Sequence, residues 1–108
     1  MYTVDIHKYK ETVEAALYEL KEAIPFGKRE KDHVLKVITG YGSKGGTHKI
    51  KTAVLAYLEE KIGHGIKDYI SGDDLLNHTE KYFRFKYLGL IPQEEKMYPN
   101  KGCIYIIV

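Results

Sequence analysis

Apolar residues recur along this chain with two alternating periods, and the switches between them lay out the elements. Tyr2 to Ile6 alternates loosely and reads as a short strand. Thr12 then precedes Val13, Ala16, Leu17, Leu20, Ala23 and Ile24 at helical spacing, with Glu14, Glu19, Lys21 and Glu22 on the opposite side. Thr12 predicts a helix cap, and Pro25 with Gly27 predicts the stop. After the charged connection from Lys28 to Asp32, Val34, Leu35, Val37 and Ile38 form a near-continuous apolar strand, the pattern of a strand buried on both faces. Thr47 is the expected cap of a second helix carrying Ile50, Ala53, Val54, Tyr57, Leu58 and Ile62, which Gly63 ends. His64 to Ile70 reads as a third strand. Asp73 to Phe85 reads as a third helix capped by Ser71 or Asp73, with Leu75, Leu76, Tyr82 and Phe83 facing the sheet. Gly89 to Lys101 holds Pro92 and Pro99 and reads as a surface excursion before the apolar strand Cys103 to Val108. The order β-α-β-α-β-α-β predicts a small α/β layer fold over residues 1–108, one domain with a small mixed four-stranded sheet and helical crossovers.

Composition narrows the function classes only slightly. The formal charge of +2 is close to neutral, so any nucleic-acid surface must come from local clustering. The single cysteine, Cys103, excludes an internal disulfide and a cysteine-based zinc site, and its apolar setting predicts a buried small hydrophobe. The first residues lack a basic segment followed by an apolar one, and no apolar run approaches the roughly 20 residues that span a bilayer. The expectation is a cytoplasmic protein with no membrane partner.

The candidate chemistry gathers where the second strand meets the second helix. Gly40, Gly42, Gly45 and Gly46 fall between Ile38 and Ile50. A glycine-rich turn feeding a helix start suits an anion, because the first helical N–H groups have no internal partner and the helix dipole favours negative charge there. The loop contains Gly40-x-Gly42-x-x-Gly45, the dinucleotide-binding spacing, but it follows the second strand, and the acidic position about 20 residues on falls at Glu59 or Glu60 inside a helix. The phosphate-loop pattern fails because Gly46 stands where its lysine belongs. Two readings stand: a tight turn, or a phosphate site flanked by Lys44, His48, Lys49 and Lys51. Tyr41 either stacks on a base or faces solvent without a partner. Asp5 and His7, two apart at a strand end, share one face, as an acid–base or metal-holding pair or as an ordinary surface pair. His33, His64 and His78 have no ligand-like spacing.

Taken together, Val4-Asp5-Ile6-His7 followed by Thr12-Val13-Glu14-Ala15-Ala16, and Ile38-Thr39-Gly40-Tyr41-Gly42 followed by Ile50-Lys51-Thr52-Ala53-Val54, resemble the two signature motifs of the Smr (small MutS-related) domain family. The glycine-led run Gly102 to Val108 is similar to that family's closing strand. The resemblance implies a two-layer α/β sandwich like the C-terminal domain of translation initiation factor three. It also implies nucleic-acid binding, with a nicking endonuclease activity on DNA or RNA in some members. Asp5 and His7 become the candidate catalytic residues, with a divalent Mg or Mn ion as the possible cofactor. Thr39, Gly40, Tyr41, Gly42, Lys44, Gly45, Gly46, His48 and Lys49 become the candidate nucleic-acid contacts. The sequence departs from the family where Lys8 replaces a common glycine, where Thr39 replaces the histidine of one branch, and in the extended segment at about residues 73–101. Two other functions stay open: a non-catalytic nucleic-acid-binding module, and a small nucleotide-binding protein using the Gly40–Gly45 loop.

Overall fold

Four strands form one mixed sheet: β1 (Tyr2–Asp5), β2 (Val34–Ile38), β3 (Asp68–Ser71) and β4 (Cys103–Ile107). They lie in the order β1-β2-β4-β3. The computed structural model describes residues 1–6, 12–40 and 46–108, and only the backbone of 46–48. β1 runs parallel to β2, and β4 runs antiparallel to both β2 and β3. The last strand of the chain is therefore an interior one, and every residue of it is buried.

α1 (Val13–Lys28) joins β1 to β2, and α2 (Gly46–Lys61) joins β2 to β3. Both crossovers step the same way across the sheet, and crossovers of one hand stepping one way lay their helices on one face. Ala16, Leu20 and Ala23 of α1 accordingly pack with Ile50, Val54 and Leu58 of α2 against Leu35, Val37, Ile104 and Ile106. That leaves the other face bare. α3 (Gly72–Asn77), α4 (Glu80–Leu88) and α5 (Gln93–Met97) cover it, with Leu75 of α3, Phe85 of α4 and Ile91 of the α4–α5 connection against Val34, Ile70, Tyr105 and Ile107. The small mixed α/β sheet is as expected, but two layers become three.

Local signals account for most of the helix ends. Thr12 Oγ1 accepts from the Ala15 N–H at 3.2 Å, the cap its position predicts. Pro25 does not stop α1, which runs on to Lys28. Pro25 is solvent-exposed in the last turn, and Gly27 is buried against Leu35 and Val108. That close approach of helix to sheet outweighs the backbone bond lost at proline. α2 starts at Gly46, one residue before its expected cap.

The single helix expected over 73–85 is two. Ser71 caps α3 in a reciprocal box with Asp74, but His78 adopts a left-handed conformation (φ 49°) and Thr79 starts α4. Thr79 Oγ1 donates to Asp74 Oδ1 at 2.8 Å across the break. The break resets the helical phase, so Phe85 is the buried aromatic, while Leu76 and Phe83, expected to face the sheet, are exposed.

The surface excursion after Gly89 is tied down by one carboxylate. Glu95 Oε1 accepts from Lys36 Nζ at 2.5 Å and from the Tyr105 hydroxyl at 2.7 Å, joining α5 to β2 and β4. Burial pushes the Glu95 carboxyl up, but the hydrogen bonds and charge from Lys36 and Tyr105 outweigh it and leave the group below its ordinary value. A carboxylate depressed in the folded state stabilises above its unfolded value and loses that contribution as pH falls through the folded one. Thermal melts should therefore show wild type losing stability below about pH 4.3 more steeply than Glu95→Gln. Equal slopes for the two proteins would mean that the network contributes nothing to acid sensitivity.

Candidate nucleic-acid interface

The two motif-bearing strands are parallel neighbours in register, with Asp5 paired to Ile38. The ladder extends one step further, through Ile6 N–H to the Ile38 carbonyl at 3.1 Å. Asp5 and the start of the glycine loop thus leave the sheet side by side. β3 ends and β4 begins at this same end of the sheet, because β4 runs against its neighbours.

Backbone packing at this end is tight. The Gly102 carbonyl accepts from Thr39 N–H at 2.7 Å, from Gly40 N–H at 3.2 Å, and from the Thr39 hydroxyl at 3.2 Å. Gly40 has φ +81°, a conformation suited to glycine, and a Cβ on Gly102 would lie 3.1 Å from its carbonyl carbon. Asn100 Oδ1 accepts from Gly102 N–H at 2.7 Å, and the Asn100 carbonyl lies against Gly72. Three chain segments (39–40, 71–72 and 100–102) therefore pack together at this end of the sheet.

The candidate residues divide into three groups. Asp5 is half-buried at the end of the edge strand, and Lys49 is exposed in the first turns of α2. Thr39 is wholly buried, with its hydroxyl turned inward to Gly102. A side chain with no exposed surface braces residues 39–40 against Gly102, in place of its expected direct contact. Gly40 is also buried and serves the turn through its backbone. His7, Tyr41, Gly42, Lys44 and Gly45 lie outside the described residues, as do the side chains of Gly46 and His48.

Charge around the site is uneven. α1, α3, α4 and α5 each carry an acidic residue in the first turn, and α2 carries none. Lys51 is ion-paired with Asp73, which joins α2 to the start of α3. Lys101 is exposed beside Gly102. Sequence reasoning did not single out Asn100, Lys101 or Gly72 for this end of the molecule. The glycine leading the last strand was the one legible hint.

Cys103 lies in the same row of the sheet, beyond Ile38 from Asp5. Burial pushes its thiol up, aided by the Glu95 and Asp5 charges against the opposing Lys36. It stays a protonated, buried hydrophobe and not a nucleophile. Among the described residues no group of three His, Cys, Asp or Glu side chains is arranged to hold a metal ion. Among them, too, no helix is long and apolar enough to cross a membrane.

The fold and site define a small α/β domain in which an acidic strand end lies beside the strand that leads into a glycine-rich segment. No family model, curated protein or solved structure matches the chain.

Proposed function

We propose that this chain binds the sugar–phosphate backbone of DNA or RNA at the common end of β1 and β2 and nicks it there. One observation carries the reading. Asp5-x-His7 and Thr39-Gly40-x-Gly42 are separated by over thirty residues in sequence, yet the strands that deliver them are parallel neighbours with Asp5 opposite Ile38. A site divided between two motifs needs that adjacency, and ligands of open α/β sheets bind outside the carboxyl ends of the strands. The start of α2 supports the same reading. It lacks the acidic first turn of the other helices and has Lys49 exposed close by, so an anion would complement a helix end whose own first turn supplies no carboxylate.

In this reading the loop N–H groups and Lys49 hold a phosphate, and His7 takes the proton of the attacking water as a phosphorus–oxygen bond breaks. The displaced oxygen leaves with a proton from solvent or from His7. Asp5 orients the imidazole. A single carboxylate also fits a Mg2+ or Mn2+ ion that takes its other ligands from substrate phosphate and water, and such an ion would neutralise phosphate charge.

Incubation of supercoiled plasmid and structured RNA with and without Mg2+ or Mn2+ tests the activity. His7→Ala is expected to lower nicking by about 10²- to 10⁴-fold while leaving binding in place. Undiminished nicking by that variant would remove the assigned role. Binding is read separately from the salt dependence of affinity, whose slope counts phosphate contacts. No binding at low salt would remove the nucleic-acid reading altogether.

A second reading, binding without cleavage, is favoured by Thr39. The position that is histidine in one branch of the resembled family is here a buried threonine bonded to Gly102. A wild type that binds in the salt titration but never nicks would establish it.

A further inference from the structure

The helices covering the second sheet face carry an aromatic surface that the β1–β2 end does not use. Tyr87 is 90% exposed and Tyr98 78%, far beyond what covering the sheet requires. Each directly follows a residue lining a recess of about 130 Å3 between α4 and α5, formed by Tyr82, Lys86, Gln93, Lys96 and Met97. Cofactor and drug-sized sites occupy roughly 300–1,000 Å3, so this recess is too small for a whole small-molecule ligand.

The surface is built, not loose. Tyr82 stacks on His78 with ring centroids 4.2 Å apart, and Phe83 meets Tyr82 edge-on at 5.1 Å. α5 is anchored from beneath by Glu95 to Lys36 and Tyr105. Charge then decides the partner. Lys86 and Lys96 line the recess, and no carboxylate among the described residues forms an ion pair with either. Arg84, by contrast, is neutralised by Asp68. Protein-binding patches deplete lysine at their centres, whereas lysines interleaved with exposed aromatics suit a partner with phosphates and stackable rings.

We propose that the α4–α5 face binds single-stranded nucleic acid, with bases stacking on Tyr87 and Tyr98 and phosphates meeting Lys86 and Lys96. This rests on the chain being a nucleic-acid binder, but not on the β1–β2 site or on cleavage. A strand engaged at the β1–β2 end would thereby have a second, sequence-tolerant hold on the opposite helical layer.

The test is anisotropy of a labelled oligothymidine of about 12 nucleotides, a length within the range of single-strand binding sites, against a duplex of equal length. Tyr87→Ala with Tyr98→Ala is expected to weaken single-strand binding about tenfold or more, and Tyr→Phe at both positions to restore it. Lys86→Glu with Lys96→Glu should reduce the salt slope by about 1.4, for two phosphate contacts at ~0.7 each. All four side chains lie at the surface or line an open recess, so circular dichroism melts should be unchanged. Lys49→Glu, at the β1–β2 end, separates the two sites. If it weakens binding while the double tyrosine variant binds as wild type, the α4–α5 proposal falls and the β1–β2 reading stands. If light scattering shows a wild-type dimer that the tyrosine changes convert to monomer, the face belongs to a second copy of the chain and the proposal falls. Absence of binding to any oligonucleotide at low salt removes both.

Discussion

Gly72→Ala is expected to destabilise the protein by about 3 kcal/mol or more, at the top of the range for overpacking. An alanine Cβ would stand 1.8 Å from the Asn100 carbonyl oxygen and 2.5 Å from its carbon. Both obstacles are backbone, so no side chain can swing aside. Either α3 lifts from β3, which breaks the Ser71–Asp74 capping box, or residues 100–102 move and carry away the Gly102 carbonyl that holds Thr39 and Gly40. For a domain of this size the loss corresponds to a melting temperature lower by about 12 °C or more. Gly27→Ala is the internal comparison. Its Cβ would press on Leu35 Cβ and Val108 Cγ2 at 3.1 Å, so a shift of a few tenths of an ångström between α1 and β2 relieves it, and alanine gains about 1 kcal/mol of helix propensity. Thermal melts of the two variants should differ widely, and equal melting temperatures would show that the 71–72 and 100–102 segments are not in fixed contact.

A chain ended at Gly102 is expected not to fold cooperatively. β4 supplies the hydrogen-bonded neighbour of both β2 and β3, which do not touch each other. Without it β3 has no partner and only the β1–β2 pair remains, and a two-stranded unit is marginal in water. The same residues divide between the two cores. Ile104, Ile106 and Val108 face α1 and α2, while Cys103, Tyr105 and Ile107 face α3 to α5. Burying each large apolar side chain contributes about 1.5–3 kcal/mol, so their loss is comparable to the whole stability of a typical domain, about 5–15 kcal/mol. The measurement is amide dispersion by NMR with a thermal melt. A sigmoidal melt and native dispersion in the shortened chain would mean that β2 and β3 can pair directly.

What was legible in the sequence was what depends on neighbours in the chain. The strand and helix periods, the Thr12 cap and the Ser71 cap act within a few residues. So does the buried character of Cys103, which its apolar neighbours announce. The misread helix over 73–85 was partly legible too, because Thr79 followed by Glu80 is a helix-start signal in the middle of the span. Pro25 misled for a different reason. Its local effect on the helix was set against a contact of Gly27 with Leu35 and Val108, and Val108 lies at the other end of the chain.

The candidate site divides along the same line. Its residue types and spacings, Asp5-x-His7 and the run of glycines from Gly40, are sequence facts and were enough to suggest phosphate chemistry. That the two segments leave one end of one sheet, that Thr39 faces inward, and that Gly102 packs against residues 39–40 were decided by strand pairing between segments over thirty and over sixty residues apart. The second face was decided in the same way. Glu95 looks like one of two surface glutamates until Lys36 and Tyr105 meet it across the sheet. Periodicity and capping are short-range energies written into consecutive residues. The insertion of β4 between β2 and β3, and hence everything it buries and aligns, arises from long-range pairing that no local pattern encodes.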